Sequence, residues 1–189
     1  MNENHAVCAS PEWAEHLQGD ILPFLTRDVD LGRDMLEVGP GPGAATAWLL
    51  QRVDRLVVVE SDEAVAGKLI DRFAGTNVEV LHRDATAMDF DDASFDSAGS
   101  FTMLHHVPTV ALQNRLLAEI LRVLRPGGVL IGSDSLPSTG LHEFHEGDTY
   151  NPVEPGTFLA RLQTLGFVKI TLRVDDRLAF IAHRPPLDE

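Results

Sequence analysis

Cysteine is nearly absent: Cys8 is the single one in 189 residues. That excludes an intramolecular disulfide and a cysteine-rich zinc site. No run of 18 apolar residues occurs, and the start Met1-Asn2-Glu3-Asn4-His5 has neither a basic nor an apolar signal region. The expectation is a cytoplasmic chain that does not enter a membrane. Bases are scarce beside acids, 15 Lys plus Arg against 29 Asp plus Glu, for a net charge of −14. Such a field repels phosphate backbones and anionic lipid, so neither nucleic acid nor a membrane is the expected partner. A small molecule, or a protein with a basic patch, fits better. Low-complexity tracts are missing too, and 44% hydrophobic with 23% charged residues is the composition of a folded chain about one domain long.

What is present is an alternation of element types. Ser10-Pro11-Glu12 supplies an N-cap, a first-turn proline and an acid, and Trp13, Leu17, Ile21 and Leu22 recur at helical spacing. This predicts an amphipathic helix over 10–22 that ends near Pro23. Residues 1–30 read as an N-terminal arm or lid before a domain of residues 31–189. Short apolar strands follow near 34–38, 55–60, 77–81, 95–101 and 128–133, alternating with helices near 43–52, 62–73 and 109–124. That order gives right-handed crossovers and a parallel sheet covered on both faces. After a helix near 155–165, strands near 167–174 and 177–183 are separated only by Asp175-Asp176. A two-residue connection joins only antiparallel neighbours. The fold class is therefore α/β, with a seven-stranded, mostly parallel sheet and a closing antiparallel hairpin.

Chemistry concentrates at the predicted strand ends. Gly39-Pro40-Gly41-Pro42-Gly43 follows the first strand and opens a helix, and glycines there permit positive φ and close approach of backbone to a ligand. Gly39-x-Gly41-x-x-Ala44 also satisfies a dinucleotide fingerprint, which keeps a nicotinamide cofactor open at this point. Glu60 ends the second strand, 21 residues beyond the first glycine, where a carboxylate can accept both hydroxyls of a ribose. Arg83-Asp84-Ala85 closes the third, and an acid there can accept from an exocyclic amine.

Taken in order and spacing, Glu37-Val38-Gly39-x-Gly41-x-Gly43, Glu60, Asp84, Leu104-His105-His106-Val107-Pro108 and Leu124-Arg125-Pro126-Gly127-Gly128 resemble the class I S-adenosylmethionine-dependent methyltransferases, over roughly residues 34 to 183. The resemblance implies a Rossmann-like sheet of order 3-2-1-4-5-7-6 with strand 7 antiparallel, and S-adenosylmethionine as cofactor. It also implies roles: Gly39, Gly41 and Gly43 shape the loop, and Glu37 supports it or meets the amino group. Glu60, with Ser61 beside it, holds the ribose, Asp84 the adenine amine, Ala85 lends backbone to the ring, and Ser100 with Phe101 edges the sulfonium. A dinucleotide enzyme would need neither Asp84 nor the hairpin.

Four histidines, His105, His106, His142 and His145, follow the fourth and fifth strands, whose carboxyl ends line the crevice of an open parallel sheet. Imidazole titrates near neutrality and suits a general base, with His106 and His142 the stronger candidates. Residues 135–154 read as a long loop forming a substrate lid or wall. His142-Glu143-Phe144-His145 is one residue short of the zinc-protease spacing, and Gly140, Gly147 and Pro152 argue against a helix that would converge the two rings. Asp134 ends strand 5, but strand 4 offers Ser100-Phe101-Thr102 rather than a second acid, so no metal is expected. The functional expectation is methyl transfer to an oxygen or nitrogen of a small molecule. Glu143, Glu146 and Asp148 near the entrance favour a neutral or cationic acceptor. The alternatives are a non-catalytic S-adenosylmethionine-binding scaffold or regulatory protein that recruits a partner through the loop, and a protein that binds NAD.

Overall fold

Strand sequences that are apolar at successive positions need cover on both faces. Met35, Leu36 and Val38 in β1 (Asp34–Val38), the run Leu56 to Val59 in β2 (Arg55–Glu60), and Val129 to Ile131 in β5 (Leu124–Ser135) are all of this kind. The computed structural model describes residues 7–187; residues 1–6 of the expected arm, and 188–189, lie outside the described residues. With β3 (Val78–His82), β4 (Phe95–Phe101), β6 (Val168–Val174) and β7 (Arg177–His183), these strands form one sheet of order β3-β2-β1-β4-β5-β7-β6. The first five strands are parallel, and β7 runs antiparallel to both β5 and β6, as expected.

Alternation sends Leu36, Val38, Val57, Val59 and Leu130 to one face, against α5 (Val110–Val123) and α7 (Pro155–Leu165). Met35, Leu56, Val58, Val129 and Ile131 face the other way, against α3 (Ala44–Leu49), α4 (Glu63–Arg72) and the N-terminal helical segment.

That segment corrects one expectation. It consists of α1 (Pro11–His16), capped by Ser10 Oγ accepting from Trp13 N, a π turn over Leu17–Ile21, and α2 (Leu22–Thr26). The helix passes through Pro23 instead of stopping there. In the π turn the Leu22 N–H reaches back to the Leu17 carbonyl, so the proline falls in the first turn of α2, where its missing N–H costs little. Leu17, Ile21, Leu22 and Leu25 are buried, so this face of the segment is a layer of the core. A second correction concerns 135–154, which contains a helix, α6 (Thr139–Phe144). Ser138 Oγ caps it by accepting from Leu141 N at 3.2 Å; Gly140 lies in its first turn, and Gly147 and Pro152 come after its end.

The Leu124-Arg125-Pro126-Gly127-Gly128 turn is already part of β5, with Leu124 opposite Phe95. Arg125 donates to Asp96 Oδ1 at 2.5 Å and to Asp34 Oδ2 at 3.0 Å, while Asp96 Oδ2 accepts from the Arg33 and Asp34 amides. This network ties β1, β4 and β5 together at the end of the sheet opposite the crevice. Above it, Gly132 leaves room for Phe180: a Cβ would lie 2.2 Å from Phe180 Cζ and 2.6 Å from the Ser100 carbonyl. Gly132→Ala should therefore destabilise the fold by about 1–3 kcal/mol. In urea titrations its midpoint falls, whereas that of Gly140→Ala, where nothing lies within 4 Å, stays level or rises.

Candidate functional site

The loop after β1 turns back sharply because Gly39, Gly41 and Gly43 all adopt positive φ, at 63°, 52° and 82°. Gly39 N–H donates to the Val59 carbonyl, which holds the loop against β2. A Cβ on Gly39 would lie 2.1 Å from Met103 Cγ, so only glycine lets the segment after β4 lie on the loop after β1. That segment leaves the sheet through Thr102, itself at φ 54°, whose N–H donates to the Ser133 carbonyl at 2.7 Å. Between the two loops lies a cavity of about 560 Å³, within the ~300–1,000 Å³ range of small-molecule sites.

Of the ten expected cofactor contacts, Glu37, Gly39, Gly41, Glu60, Ser61, Asp84, Ala85 and Phe101 line this cavity; Gly43 and Ser100 do not. Gly43 instead sits against Leu69 and Phe73 of the α4 layer, where a side chain would collide. Ser100 precedes Phe101 in a strand, so the two point to opposite faces and only Phe101 reaches the crevice. The Ser100 hydroxyl is fully buried and has no hydrogen-bond partner among the described residues.

The cavity wall is acidic. Glu37, Glu60, Asp62, Asp84 and Asp148 line it with Arg83 as the one guanidinium or ammonium among the lining residues. Glu60 is buried, with Oε1 accepting from Asp62 N at 2.9 Å. Glu37 is buried beneath the glycine loop and its Oε2 accepts from Thr46 Oγ1 at 2.7 Å.

The four candidate bases separate. His106 lines the cavity. His105 is buried behind it, its Nδ1–H donating to Asp134 Oδ1 at 2.6 Å. His145 is also buried, donates from Nδ1 to the Leu141 carbonyl at 2.7 Å, and stacks on Tyr150 at 4.7 Å and 17°. His142 is exposed on α6 and is not among the residues lining the cavity, which removes the geometric ground for it as a base. The helix forms against expectation, yet it does not bring the His142 and His145 rings together: His145 turns inward to join His105 and His106, and His142 turns out.

Sequence reading missed the clamp that assembles this end. Gln113 of α5 is fully buried and donates from Nε2 to the carbonyls of Leu104 and Asn151. Asn151 in turn donates from its backbone to the His105 carbonyl and from Nδ2 to that of Val107. Arg161 of α7 holds Gln113 Oε1 at 2.8 Å. Trp13, Leu17 and Thr149 complete the wall. A polar residue on the apolar stripe of α5 was the one available signal.

Burial pushes the Glu37 carboxyl up to about 7, against the opposing Thr46 hydrogen bond and with added repulsion from Glu60. The folded value lies above the ordinary 4.5, so the ligand-free fold binds this proton more tightly than the unfolded chain. The resulting stability is full below about pH 4.5 and is lost as pH rises through 7. Between pH 5 and pH 8 the wild type should lose on the order of 3 kcal/mol of unfolding free energy that Glu37→Gln does not lose. Parallel profiles in urea titrations would contradict this.

The sequence model of the family described as methyltransferase domain matches residues 36–132, just over half of the chain. Demethylmenaquinone methyltransferase of Clavibacter sepedonicus is 34% identical over 101 residues, 53% of this chain and 40% of that protein. Ribosomal RNA small subunit methyltransferase A of Xanthomonas campestris is 32% identical over 95 residues, 48% of this chain and 36% of that protein. The chain spans about two fifths of the length of the curated relatives it matches. The phosphoethanolamine N-methyltransferase 2 of Haemonchus contortus, solved with phosphomonomethylethanolamine and S-adenosylhomocysteine, shares the fold: TM-score 0.73 at 17% identity, over 92% of this chain and 56% of that one. No helix among the described residues is long and apolar enough to cross a membrane. The family match begins in β1 and ends in β5, on the part of the sheet whose strand ends open into the acidic crevice, and the chain belongs to the class I S-adenosylmethionine-dependent methyltransferase family.

Proposed function

We propose that this chain binds S-adenosylmethionine in the crevice and moves its methyl group to an oxygen or nitrogen of a small neutral or cationic molecule. The observation that carries the reading is one continuous cavity, with Glu60 and Asp84 on its wall together with His106 and Asp148. The donor set fits the cofactor: a buried carboxylate at the end of β2 suits two ribose hydroxyls, Asp84 an amine edge, and Glu37 an ammonium. The Gly39 contact with Met103 leaves backbone, not side chain, facing that group. When bound, the cofactor supplies a methyl group already activated on a sulfonium, so positioning and exclusion of water account for most of the acceleration.

The chain's own residues supply that positioning. Phe101, Trp13 and Leu17 present apolar surface to the cavity and keep water from it. An ionising acceptor sheds its proton toward the histidine cluster behind His106, whose buried member is held in one tautomer by Asp134. Five carboxylates against one guanidinium complement a cationic ligand. The ribosomal RNA enzymes among the relatives suggest a nucleic-acid acceptor; the net charge of −14 and the acidic entrance oppose a polyanion and favour the small molecule.

Calorimetric titration tests the cofactor step. Wild type should bind S-adenosylmethionine, and Glu60→Ala and Asp84→Ala should each raise Kd about 10- to 100-fold through loss of a charged hydrogen-bond acceptor. Unchanged affinity in both variants, or binding of NAD in place of S-adenosylmethionine, overturns the assignment. For the acceptor, labelled methyl transfer to a panel of neutral and cationic amines and phenols is compared with transfer to short RNA, and transfer to RNA alone overturns the small-molecule reading.

A further inference from the structure

The histidine cluster has a geometry that a general base does not require. One ring nitrogen from each of His105, His106 and His145 lies within 4.8 Å of the other two. Ring centroids are 4.2 Å apart for His105 and His106, 5.0 Å for His105 and His145, and 5.1 Å for His106 and His145. The residues come from two separate segments: the turn after β4 supplies two and the end of α6 the third.

The outer hydrogen bonds fix which nitrogen of two rings carries the hydrogen. A carbonyl oxygen only accepts, so His145 Nδ1, bonded to Leu141, carries its hydrogen, and Nε2 is the nitrogen able to ligate. The same holds for His105, whose Nδ1 is committed to the Asp134 carboxylate. A divalent ion of borderline softness is a Lewis acid that can accept one nitrogen from each of the three rings.

Asp134 is the second, independent observation. Its side chain is fully buried, and among the described residues its recorded ion-pair partner is neutral-capable His105 rather than a lysine or arginine. Its oxygens accept from His105 Nδ1 and Ser135 N. A carboxylate behind a histidine whose other nitrogen faces a shared space is the outer-shell arrangement that orients metal-ligating imidazoles and raises their basicity. Stacked Tyr150 and neighbouring Phe144 close the site on the far side.

We propose that His105, His106 and His145 form a site for a divalent ion of zinc-type chemistry, with Asp134 and the Leu141 carbonyl as its outer shell. Three neutral imidazoles suit zinc, cobalt or nickel and not magnesium or calcium, which take oxygen ligands. Zinc with nitrogen at about 2.0–2.1 Å needs ligand atoms roughly 3.4 Å apart, a short closure from the present spacing. Three protein ligands leave a fourth position open, and His106 is the ligand that faces the cavity. With the ion bound, His106 is a ligand and not a base, and the cation takes over stabilisation of charge at the acceptor end. That last consequence rests on the proposed methyl transfer; the site itself does not.

The test uses tag-free full-length protein, stripped with a chelator and titrated with Co²⁺, then with Zn²⁺ in competition. The expected result is a visible d–d absorption that saturates near one Co²⁺ per chain, is displaced by Zn²⁺, and leaves about one zinc per chain after desalting. His105→Ala, His106→Ala and His145→Ala should each weaken binding at least 100-fold, and Asp134→Asn by about 10- to 100-fold. His183→Ala, on β7, should not change it. Wild type that gives no saturating Co²⁺ absorption and retains no zinc after desalting overturns the site, and that outcome stands even where a variant folds poorly, because the wild-type titration needs no variant. Calorimetry with S-adenosylmethionine on the same samples separates the two proposals: cofactor binding without metal overturns the metal site alone, and metal binding without cofactor overturns the methyltransferase reading alone.

Discussion

The crevice exists because Gly39 has no side chain. Met103 occupies the space where a Cβ would stand, at 2.1 Å, and this brings the loop after β1 and the loop after β4 into contact at the point where the sheet order reverses. In an open parallel sheet that reversal is where crossovers diverge to opposite faces and a cleft is left at the carboxyl ends. The segment that carries the histidines follows from that contact. Thr102 leaves the sheet at positive φ to follow Met103, and His105 and His106 come next. Gln113 and Asn151 then pin the His segment from behind, so that its backbone has little freedom.

Two buried carboxylates illustrate different solutions to one electrostatic problem. A charge removed from water must be neutralised, paired or solvated by fixed dipoles. Glu37 is relieved by proton uptake and by the Thr46 hydroxyl, an arrangement that a cationic ligand group could replace. Asp134, on the neighbouring side of the switch point, is relieved by the ring N–H of His105 and by the Ser135 amide. The first leaves a site that gains from an incoming positive charge at its surface. The second passes its negative charge through an imidazole toward the three-ring cluster.

The order of elements was legible because both sheet faces are buried, which prints continuous apolar runs in β1, β2 and β5 and a clean helical stripe in α5. The two-residue Asp175-Asp176 connection was likewise sufficient for the antiparallel end. Residues at strand termini, Glu60 and Asp84, could be placed for the same reason: the backbone alone carries them to the crevice. Where the outcome depended on which way one side chain turns, the reading failed. Ser100 and Phe101 are adjacent and opposite in orientation, and no composition rule ranks them. His142 and His145 are three apart, yet a six-residue helix sends one to solvent and one inward. The glycines and proline of 135–154, and Pro23 before them, read as breakers because the Ser138 cap in the first case and the Leu17–Ile21 π turn in the second act through hydrogen-bond geometry, which residue identity only hints at.

The N-terminal segment adds a constraint on selectivity. Leu17 belongs to the core layer against β1 and β2 and also lines the cavity, with Trp13 one turn before it. A wall that is simultaneously core cannot be reshaped freely, because replacing Leu17 changes packing and pocket together. Asp148 and Thr149, which also line the cavity, belong to a connecting segment whose bonds include Asp148 N–H to the His145 carbonyl and Asn151 N–H to the His105 carbonyl. Under the proposed function, acceptor choice divides between shape at Trp13 and Leu17, where a change also disturbs the core, and charge at Asp148, which lines the cavity outside the sheet.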